Sequence, residues 1–447
     1  MLTNVQLPKS VKEILDRFSQ KGFEIYIVGG AVRDILMRRS VNDWDFTTNA
    51  TPEEILKMVT GGIYNNEFGT VFTPNPEDKE RPHEITTFRK EEGYQDFRHP
   101  DKVTWGKTLE EDLSRRDFTI NALALDSNLK LIDLYEGEKD LKNKIIKAVR
   151  DPNQRFSEDA LRMMRAIRIA SELGCSIEEK TLEAINKNSG LIEKIAKERI
   201  KDELFKLLKS PYPYEGMIFL RNSGLMDEII PELSKCFGVE QKSPGRHHIY
   251  EVGEHLLMSL KNCKSTDPLT RFATLIHDIG KPQTYKKLDS GTITFYNHEM
   301  VSTKIAQNIA ERLRFSNKEK EKLVTLVRWH QFTVNENQTD GAIRRFIKNV
   351  GTENIKDMLE LRTGDRLGGG ARETSWRLEE YKRRLLEVQK QPFSINDLKI
   401  NGSDVMKTLN IKPGPKVGEI LEKLFKKVVA KEIPNEKGKL LNKLKTF

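Results

Sequence analysis

The chain has 447 residues, more than one ordinary domain needs, so we expect several domains with a sizeable buried core. Its 76 Lys and Arg residues exceed its 67 Asp and Glu residues, giving a net charge of +9 that agrees with an RNA partner without requiring one. The sequence has no run of about 18 apolar residues and no basic segment followed by an apolar one, so we expect neither a membrane span nor export.

Short helices and strands alternate at the start of the chain. A helical pattern at residues 11–18 precedes a β-rich run at 23–28, a Gly-Gly turn and a short helix that ends at Leu36. Residues 43–46 follow as a predicted strand, and Thr51 is a predicted helix N-cap. Further strands are predicted at residues 70–73, 84–88 and 131–134. We therefore predict a mixed α/β head over residues 1–145.

The rest of the chain has helical periodicity from residue 155 onward. We predict an all-α remainder and hence an α+β fold class overall. The predicted parts are a neck at residues 146–240, a helical module at 241–385 and a C-terminal body and tail at 386–447. The module holds six of the eight histidines, and the tail contains a Lys-rich amphipathic helix at residues 417–430.

Two aspartates of the head point to metal-dependent chemistry. Asp43 and Asp45 alternate along the predicted strand, so their carboxylates share one face about 7 Å apart. Such a pair can bind divalent cations for phosphoryl or nucleotidyl transfer, and magnesium is the natural choice for hard oxygen ligands. Upstream, Gly29 and Gly30 stand between a strand and a helix, where backbone N–H groups and Arg33 can bind a triphosphate.

Either feature alone is more often structural, but together they follow in strand-turn-helix-strand order within 17 residues. Residues 29–34 (Gly-Gly-Ala-Val-Arg-Asp) and 43–47 (Asp-Trp-Asp-Phe-Thr) resemble the head of the class II tRNA nucleotidyltransferase and bacterial poly(A) polymerase family. The resemblance makes Glu84 a candidate third catalytic carboxylate, with an exposed strand residue as the alternative. It also implies that Arg116, Asp117 and Asn121 contact phosphate and ribose.

A charged stretch in the neck predicts a base-reading surface. Asp159, Arg162, Arg165 and Arg168 recur every three residues, which predicts one side of a single helix. On the pairing edge of cytosine or adenine, a carboxylate can accept from the exocyclic amine and a neighbouring guanidinium can donate to the ring nitrogen. The resemblance assigns this reading to Asp159 and Arg162, and places Arg165 and Arg168 near the phosphates or in support of the helix.

The family includes enzymes that add all of CCA, only CC, only the final A, or poly(A). Residues 90–100 resemble the flexible loop that full CCA-adding and A-adding members use, which disfavours CC addition. The chain lacks the longer basic extension typical of the poly(A) branch. Full CCA addition is thus expected first, with A-only addition still open. A Gly-Pro-Lys helix entry at residues 414–416 and nearby lysines agree with binding to the tRNA backbone.

The histidines indicate a second metal centre. His255, the His277-Asp278 pair and Asp365 resemble the ligands of an HD-type phosphohydrolase domain. His298 and His330 are candidates for a second metal position, for either a transition metal or magnesium.

The leading hypothesis is a cytoplasmic enzyme that adds CCA to the tRNA 3′ end from CTP and ATP, with no obligate protein partner. The scattered Cys175, Cys236 and Cys263 agree with a reduced compartment. The alternative of another class is an HD-type phosphohydrolase or 2′,3′-cyclic phosphodiesterase that acts on RNA ends. A plain RNA-binding module is weaker, because it leaves both sets of metal ligands unexplained.

Overall fold

The computed structural model describes residues 6–64, 69–92, 102–241, 249–332, 334, 338–389, 395–430 and 432–446. The chain divides into two compact units. The first contains Met1–Val239, Asp267–Phe272 and Asn308–Ser316, and the second contains Glu240–Thr266, Ala273–Gln307 and Asn317–Phe447. The four domain ranges predicted from the sequence stay a prediction. None of the helices in the described ranges is both long and apolar enough to cross a membrane.

The strands of the first unit are β1 Ile25–Val28, β2 Asp45–Thr48, β3 Thr70–Thr73, β4 His83–Thr87, β5 Arg89–Glu92, β6 Lys102–Trp105, β7 Leu123–Leu125, β8 Leu131–Asp133, β9 Ile145–Ile146 and β10 Ser176–Ile177. Its helices up to residue 234 are α1 Lys9–Gln20, α2 Gly30–Leu36, α3 Pro52–Met58, α4 Leu109–Ser114, α5 Gly137–Lys142, α6 Pro152–Glu158, α7 Leu161–Leu173, α8 Glu179–Asn188, α9 Lys197–Lys209, α10 Pro213–Asn222, α11 Leu225–Ile229 and α12 Pro231–Ser234.

A six-stranded mixed sheet organises the described part of the head, in the order β3-β4-β2-β1-β7-β8. β2 pairs antiparallel with β1 and parallel with β4. The apolar residues of α1 pack on the sheet in one buried cluster that includes Phe18, Ile27 and Phe46. Helix α3 begins with a complete capping box between Thr51 and Glu54, as the sequence predicts for Thr51. This packing fixes the sheet edge on which the polar residues described below lie.

Helices account for most of the chain after β8. From residue 252 they are α13 Val252–Asn262, α14 Pro268–Ile276, α15 Lys281–Thr284, α16 His298–Arg312, α17 Asn317–Trp329, α18 Asp340–Val350, α19 Ile355–Gly368, α20 Trp376–Gln389, α21 Gly402–Leu409, α22 Pro415–Val429 and α23 Lys437–Leu444. The α+β class is confirmed. The prediction of an all-α remainder is wrong in detail, because β9 pairs with β10 and because β11 Lys286–Lys287 pairs with β12 Ile293–Thr294.

Two predicted features fall partly outside the described residues. The loop at residues 90–100 is described only to Glu92, where β5 pairs antiparallel with β6. Lys431, one of the lysines near the tail helix, is also outside the described ranges. The amphipathic tail helix itself is present as α22, which begins at Pro415 and buries Val417, Ile420 and Leu424.

Candidate nucleotide-transfer site and histidine cluster

Three carboxylates converge at one edge of the head sheet. The antiparallel register pairs Val28 with Asp45, and the parallel register pairs Asp45 with Glu84. Directly paired residues project from the same face of a sheet, so Asp45 and Glu84 are neighbours. Asp43 precedes Asp45 by two residues, and its side chain is 72% exposed. The predicted third carboxylate therefore lies beside the pair, although its catalytic role stays a prediction.

The electrostatics of this edge favour a bound cation. Burial raises the pKa of Asp45; the Arg116 guanidinium opposes that change, whereas Asp43 adds to it. Burial and the charges of Asp45 and Asp43 likewise raise the pKa of Glu84. Such mutual repulsion is relieved by a divalent cation, and hard oxygen donors suit magnesium. The residues present thus fit the metal that the sequence predicts.

The Gly-Gly turn lies directly beside these carboxylates. Gly29 has a φ of 71°, and a Cβ atom there would stand 3.0 Å from Nη1 of Arg116 and 3.9 Å from Oδ2 of Asp45. A side chain at this position would be strained and would displace the guanidinium. Gly30 begins α2, so the free N–H groups of its first turn start next to the acidic edge.

A buried chain of hydrogen bonds connects the head to helix α7. Nη1 of Arg33 donates to Oδ1 of Asn121 at 2.9 Å, and Nδ2 of Asn121 donates to Oδ1 of Asp117 at 3.0 Å. Nε and Nη2 of Arg165 both donate to Oδ2 of Asp117, at 2.9 and 2.6 Å. Burial would raise the pKa of Asp117, but Arg165 and Asn121 outweigh it and hold the pKa well below its usual range. Arg33, Asn121, Asp117 and Arg165 therefore act as one network.

Asp112 is an important residue that the sequence reasoning did not identify. It is fully buried; its Oδ1 accepts from Arg115 at 2.6 Å and its Oδ2 accepts from Arg116 at 3.1 Å. Burial opposes its charge, yet the two guanidiniums lower its pKa to about 2. Its position three and four residues before the arginines on a helix is the signal that could have revealed it.

The predicted single helix through Asp159 and Arg168 is wrong. Helix α6 ends at Glu158, Asp159 has an extended backbone (φ −138°, ψ 103°), and α7 begins at Leu161. Oδ1 of Asp159 accepts from the N–H of Leu161 at 3.0 Å, so the aspartate satisfies a backbone donor at the start of the next helix instead of continuing the previous one. This capping preference of Asp is why the three-residue spacing misleads.

Arg162 is held by three acceptors. Its Nη1 donates to Oε2 of Glu158 at 2.8 Å and to the carbonyl of Arg155 at 3.2 Å, and its Nη2 donates to the carbonyl of Arg115 at 3.0 Å. The sequence reasoning passed over Glu158, although its position four residues before Arg162 was a usable signal. The guanidinium is thereby fixed in orientation.

Asp159 and Arg162 line a cleft of about 450 Å³. The other lining residues are Arg115, Arg116, Asp117, Leu161, Arg165, Arg199, Asp202, Glu203 and Lys206. Arg168 is not among them, because it pairs with Glu172 and Glu203, which agrees with a supporting role. Arg199, whose Nη2 lies 3.6 Å from Oδ2 of Asp159, comes from a distant helix, so no local spacing could have predicted it.

Arg116 joins the two halves of this site. It lines the cleft, and its guanidinium also reaches the Gly29 turn and acts on Asp45. The Arg116 Nε atom is buried and has no hydrogen-bond partner in the described part of the chain. Phosphate oxygens are natural acceptors for a guanidinium that lies between three carboxylates and an open cleft.

The second unit gathers the histidines around one carboxylate. Oδ2 of Asp278 lies 3.4 Å from Nε2 of His255 and 3.3 Å from Nε2 of His277. Oδ1 of the same group lies 3.0 Å from Nε2 of His298 and 3.3 Å from Nε2 of His330. Two sets of side chains have the spacing of metal ligands: His255, His277 and Asp365, and His277, Asp278 and His330.

Backbone carbonyls orient three of these imidazoles. Nδ1 of His277, His298 and His330 lies 2.7–2.8 Å from the carbonyls of Thr274, Phe295 and Val327, respectively. A carbonyl can only accept, so each Nδ1 carries the proton and each Nε2 is left facing the cluster. Burial opposes charge on His277, but the adjacent carboxylates raise its pKa to about 10, so the cluster attracts positive charge.

Close approaches at glycines bring the ligands together. A Cβ atom at Gly364 would stand 2.7 Å from the carbonyl oxygen of Ser259, and one at Gly368 would stand 2.6 Å from its backbone nitrogen. Helices α13 and α19 can therefore pack closely enough to place His255 beside Asp365. Lys281 was also missed; its buried ammonium lies 2.6 Å from Oδ2 of Asp278.

Family models match three parts of the chain. A model of the poly(A) polymerase head domain matches residues 25–147, and a model of an RNA and SrmB binding site of polymerase A matches residues 174–237. A model of tRNA nucleotidyltransferase domain 2 matches residues 292–444. The first match contains the carboxylate edge, the glycine turn and the Asp112–Asn121 segment.

Similar proteins extend the likeness to the whole chain. The CCA-adding enzyme of Bacillus stearothermophilus, solved in complex with CTP, has a TM-score of 0.71 and 26% identity and covers 99% of this chain and 98% of that one. The Thermotoga maritima enzyme, solved with tRNA, shares the fold at a TM-score of 0.60 and 20% identity, over 100% and 97% of the two chains. The curated CCA-adding enzyme of Pediococcus pentosaceus is 33% identical over 97% of this chain and 96% of its own. That of Ligilactobacillus salivarius is 36% identical over 98% of this chain and 96% of its own, and the chain accordingly belongs to the CCA-adding enzymes, a family of tRNA nucleotidyltransferases.

Proposed function

We propose that this chain adds C, C and A in turn to the 3′ end of tRNA, using CTP and ATP and releasing pyrophosphate. The observation that carries the proposal is the position of Arg116, which reaches both the carboxylate edge and the cleft that contains Asp159 and Arg162. A nucleotide with its base in the cleft can thus present its phosphates to Asp43 and Asp45. The match of CCA-adding enzymes along the full chain supports complete addition over A-only addition.

Asp43, Asp45 and Glu84 would hold magnesium, which supplies Lewis acidity that lowers the pKa of the attacking hydroxyl and stabilises the leaving pyrophosphate. The tRNA 3′-oxygen attacks the α-phosphorus in line, its bond to phosphorus forms, and the bond to the bridging oxygen of pyrophosphate breaks. Arg116 and the N–H groups in the first turn of α2, which begins at Gly30, bind the phosphates and hold them in line for this attack. The proton of the hydroxyl leaves to solvent.

The choice of base is assigned to Asp159 and Arg162. The Asp159 carboxylate accepts from the exocyclic amine of cytosine or adenine, and the Arg162 guanidinium donates to the adjacent ring nitrogen. No nucleic-acid template is needed, because these two side chains present the complementary edge themselves. Binding of the tRNA backbone is assigned to the Lys-rich surface of α22 and α23.

Transcripts of one tRNA that end at the discriminator base, at C and at CC test this function. Each is incubated with CTP, ATP or both in the presence of Mg²⁺, and the products are sequenced. We expect all three to end in CCA when both nucleotides are present. Extension of the CC transcript alone would instead show A-only addition, and long A tails would show poly(A) polymerisation.

A second activity is supported by the geometry around Asp278. Each of its oxygens faces a pair of histidine Nε2 atoms, and imidazole with carboxylate suits transition metals such as Mn²⁺ or Fe²⁺. His255, His277, Asp278 and Asp365 would hold one metal, and His298 and His330 would complete a second. Such a metal lowers the pKa of a bound water. The proposed reaction is hydrolysis of a phosphate ester, in which water replaces the alcohol on phosphorus.

Metal analysis and a hydrolysis assay test the second activity separately. The purified full-length protein should contain about two transition-metal ions per chain, and His277→Ala should lose most of them. With metal bound, the protein should release phosphate from phosphomonoesters or open a 2′,3′-cyclic nucleotide. Metal content equal in the wild type and His277→Ala would refute the site, and CCA addition by His277→Ala serves as the control for folding.

A further inference from the structure

The histidine cluster adjoins a cleft of about 560 Å³, within the range of about 300–1,000 Å³ that small-molecule sites occupy. Asp278, His298, His330 and Asp365 form part of its wall, so a ligand in the cleft would meet the metal-binding groups. The remaining walls carry chemistry that neither metal binding nor nucleotidyl transfer uses. The charge and the aromatic side chains of these walls indicate which chemical groups a ligand would contain.

One wall is cationic and comes from α19. Arg362 and Arg366 are one helical turn apart and both line the cleft. The Arg362 guanidinium already has a carboxylate partner, because its Nη1 donates to Oδ2 of Asp365 at 2.9 Å. Arg366 donates only through Nε, to the carbonyl of Arg372 at 3.2 Å. Among the described residues its two Nη groups have no acceptor, so a planar pair of donors remains for an anion.

Another wall is aromatic. Phe295 and Tyr296 both line the cleft. Phe295 packs against Tyr285, and its ring centre lies 5.3 Å from the Lys281 ammonium, whereas Tyr296 is 74% exposed. Asn297 follows with a φ of 61° and completes the turn into α16. Because Phe295 is held by its contacts with Tyr285 and Lys281, Tyr296 is the aromatic residue of this wall that is open to a ligand. Its replacement should therefore leave the fold intact.

We propose that this cleft binds a nucleotide unit through its base and its phosphate: the base stacks on Tyr296, and the Nη groups of Arg366 bind the phosphate. The inference rests on the proposed hydrolase function in one respect: that function places the scissile ester next to the metal ligands. Aromatic rings stack on any base, and a guanidinium binds a phosphate with two parallel hydrogen bonds. The ligand class is a nucleoside phosphate, either free or as the phosphorylated 3′ end of an RNA.

Binding is measured by calorimetry on full-length protein loaded with Mn²⁺, in an Arg162→Ala background that removes base reading in the head. The probes are adenosine 3′-monophosphate, the base-free glycerol 2-phosphate, adenosine, and an RNA trinucleotide with a 3′-phosphate. Tyr296→Ala should weaken binding of adenosine 3′-monophosphate about tenfold, the order of one base–aromatic stack, whereas Tyr296→Phe should not. Glycerol phosphate should bind equally to all three proteins.

Arg366→Ala should weaken binding of the three probes that carry a phosphate and leave binding of adenosine unchanged, and Arg366→Lys should restore part of the loss. Trp376→Ala, which removes an exposed aromatic that does not line the cleft, is the matched control. A trinucleotide that binds more tightly than the monophosphate, with the same dependence on Tyr296, identifies an RNA end; equal binding identifies a free nucleotide.

Unchanged binding of adenosine 3′-monophosphate in Tyr296→Ala and Arg366→Ala would overturn the inference. Hydrolysis of phosphate esters with such unchanged binding would leave the hydrolase proposal standing alone. If these variants lose binding but the wild type hydrolyses no phosphate ester, the nucleotide-binding inference stands and the hydrolase proposal fails. The two failures are therefore distinguishable.

Discussion

Both side-chain nitrogens on one edge of Arg165 donate to a single oxygen of Asp117, at 2.9 and 2.6 Å. The pair connects the segment after α4 to helix α7, whose first turn carries Arg162. The family resemblance placed Asp117 among the residues that contact phosphate and ribose, and Arg165 near the phosphates or in support of the helix. In the structure each binds the other, so we expect their main contribution to be the position of α7 relative to the head sheet.

A double-mutant cycle measures this coupling. Asp117→Asn and Arg165→Gln should each lower the free energy of unfolding, and the double variant should lose less than their sum. The expected interaction energy is about 1–3 kcal/mol, the upper part of the range for residues in one network. Urea unfolding of the four proteins provides the measurement, and strict additivity would contradict the coupling.

The carboxylate edge predicts a specific loss of chemistry. Asp45→Asn preserves the shape of the side chain but removes a charged oxygen that would hold magnesium, so incorporation of both CTP and ATP should fall at least about 100-fold. Glu84→Gln should also reduce incorporation, with a partial recovery at high Mg²⁺. Binding of the tRNA, measured by filter retention, should not change. Incorporation by Asp45→Asn near the wild-type rate would rule out the metal site.

The three acceptors around Arg162 predict a change in base selection. Arg162→Ala should lose about 1–3 kcal/mol of discrimination between CTP and UTP, the amount typical of one bidentate contact with a base. Glu158→Gln leaves the guanidinium in place with two of its three acceptors, so its effect should be smaller and in the same direction. Misincorporation is read by sequencing the tRNA 3′ ends. Normal discrimination between CTP and UTP by Arg162→Ala would contradict the assignment of base reading to Arg162.

Asp112 predicts a pH dependence of stability. Its pKa is lowered in the folded state to about 2, so its ionised form stabilises the fold at pH values above the unfolded pKa near 3.9. That stability, about 2 kcal/mol, should be lost as pH falls from about 4 to 2. Asp112→Asn should be less stable at neutral pH and should show a flatter stability profile below pH 4. Circular dichroism during acid titration measures both proteins; parallel profiles would contradict the ion pairs.

Gly368 predicts a selective loss of the histidine cluster. A Cβ atom there would meet the Ser259 backbone at 2.6 Å, so Gly368→Ala should separate α13 from α19 and cost about 1–3 kcal/mol. The transition-metal content should fall, while CCA addition should continue. Gly418→Ala is the matched control and should retain its metal, because the added Cβ would meet no other described part of the chain within 4 Å beyond its own helix backbone.

Features of the fold that depend on residues close in the chain can be predicted from the sequence. The glycine turn and the Thr51 cap depend on residues that are close in the chain, and both appear where predicted. The strand predicted at residues 43–46 is wrong at its start, because β2 begins at Asp45 and Asp43 precedes it. The parallel pairing that sets Glu84 beside Asp45 depends on tertiary structure, and only the family resemblance indicated it. The break at Asp159 was not predicted, because evenly spaced charges resemble one face of a helix. In the structure the extended backbone of Asp159 ends α6. Arg199 and the Arg115 carbonyl that accepts from Arg162 come from distant segments that no local pattern reveals.

The break between α6 and α7 gives Asp159 and Arg162, the side chains proposed to read the base, unequal freedom. Arg162 is fixed by three hydrogen bonds, whereas Asp159 lies on non-helical backbone with one N–H donor and a longer ion pair to Arg199. An enzyme that must accept a pyrimidine twice and then a purine needs one invariant reference and one adjustable contact. We expect Arg162 to be the reference and Asp159 the contact that moves, so the change from C to A can proceed by torsion about a single interhelical residue.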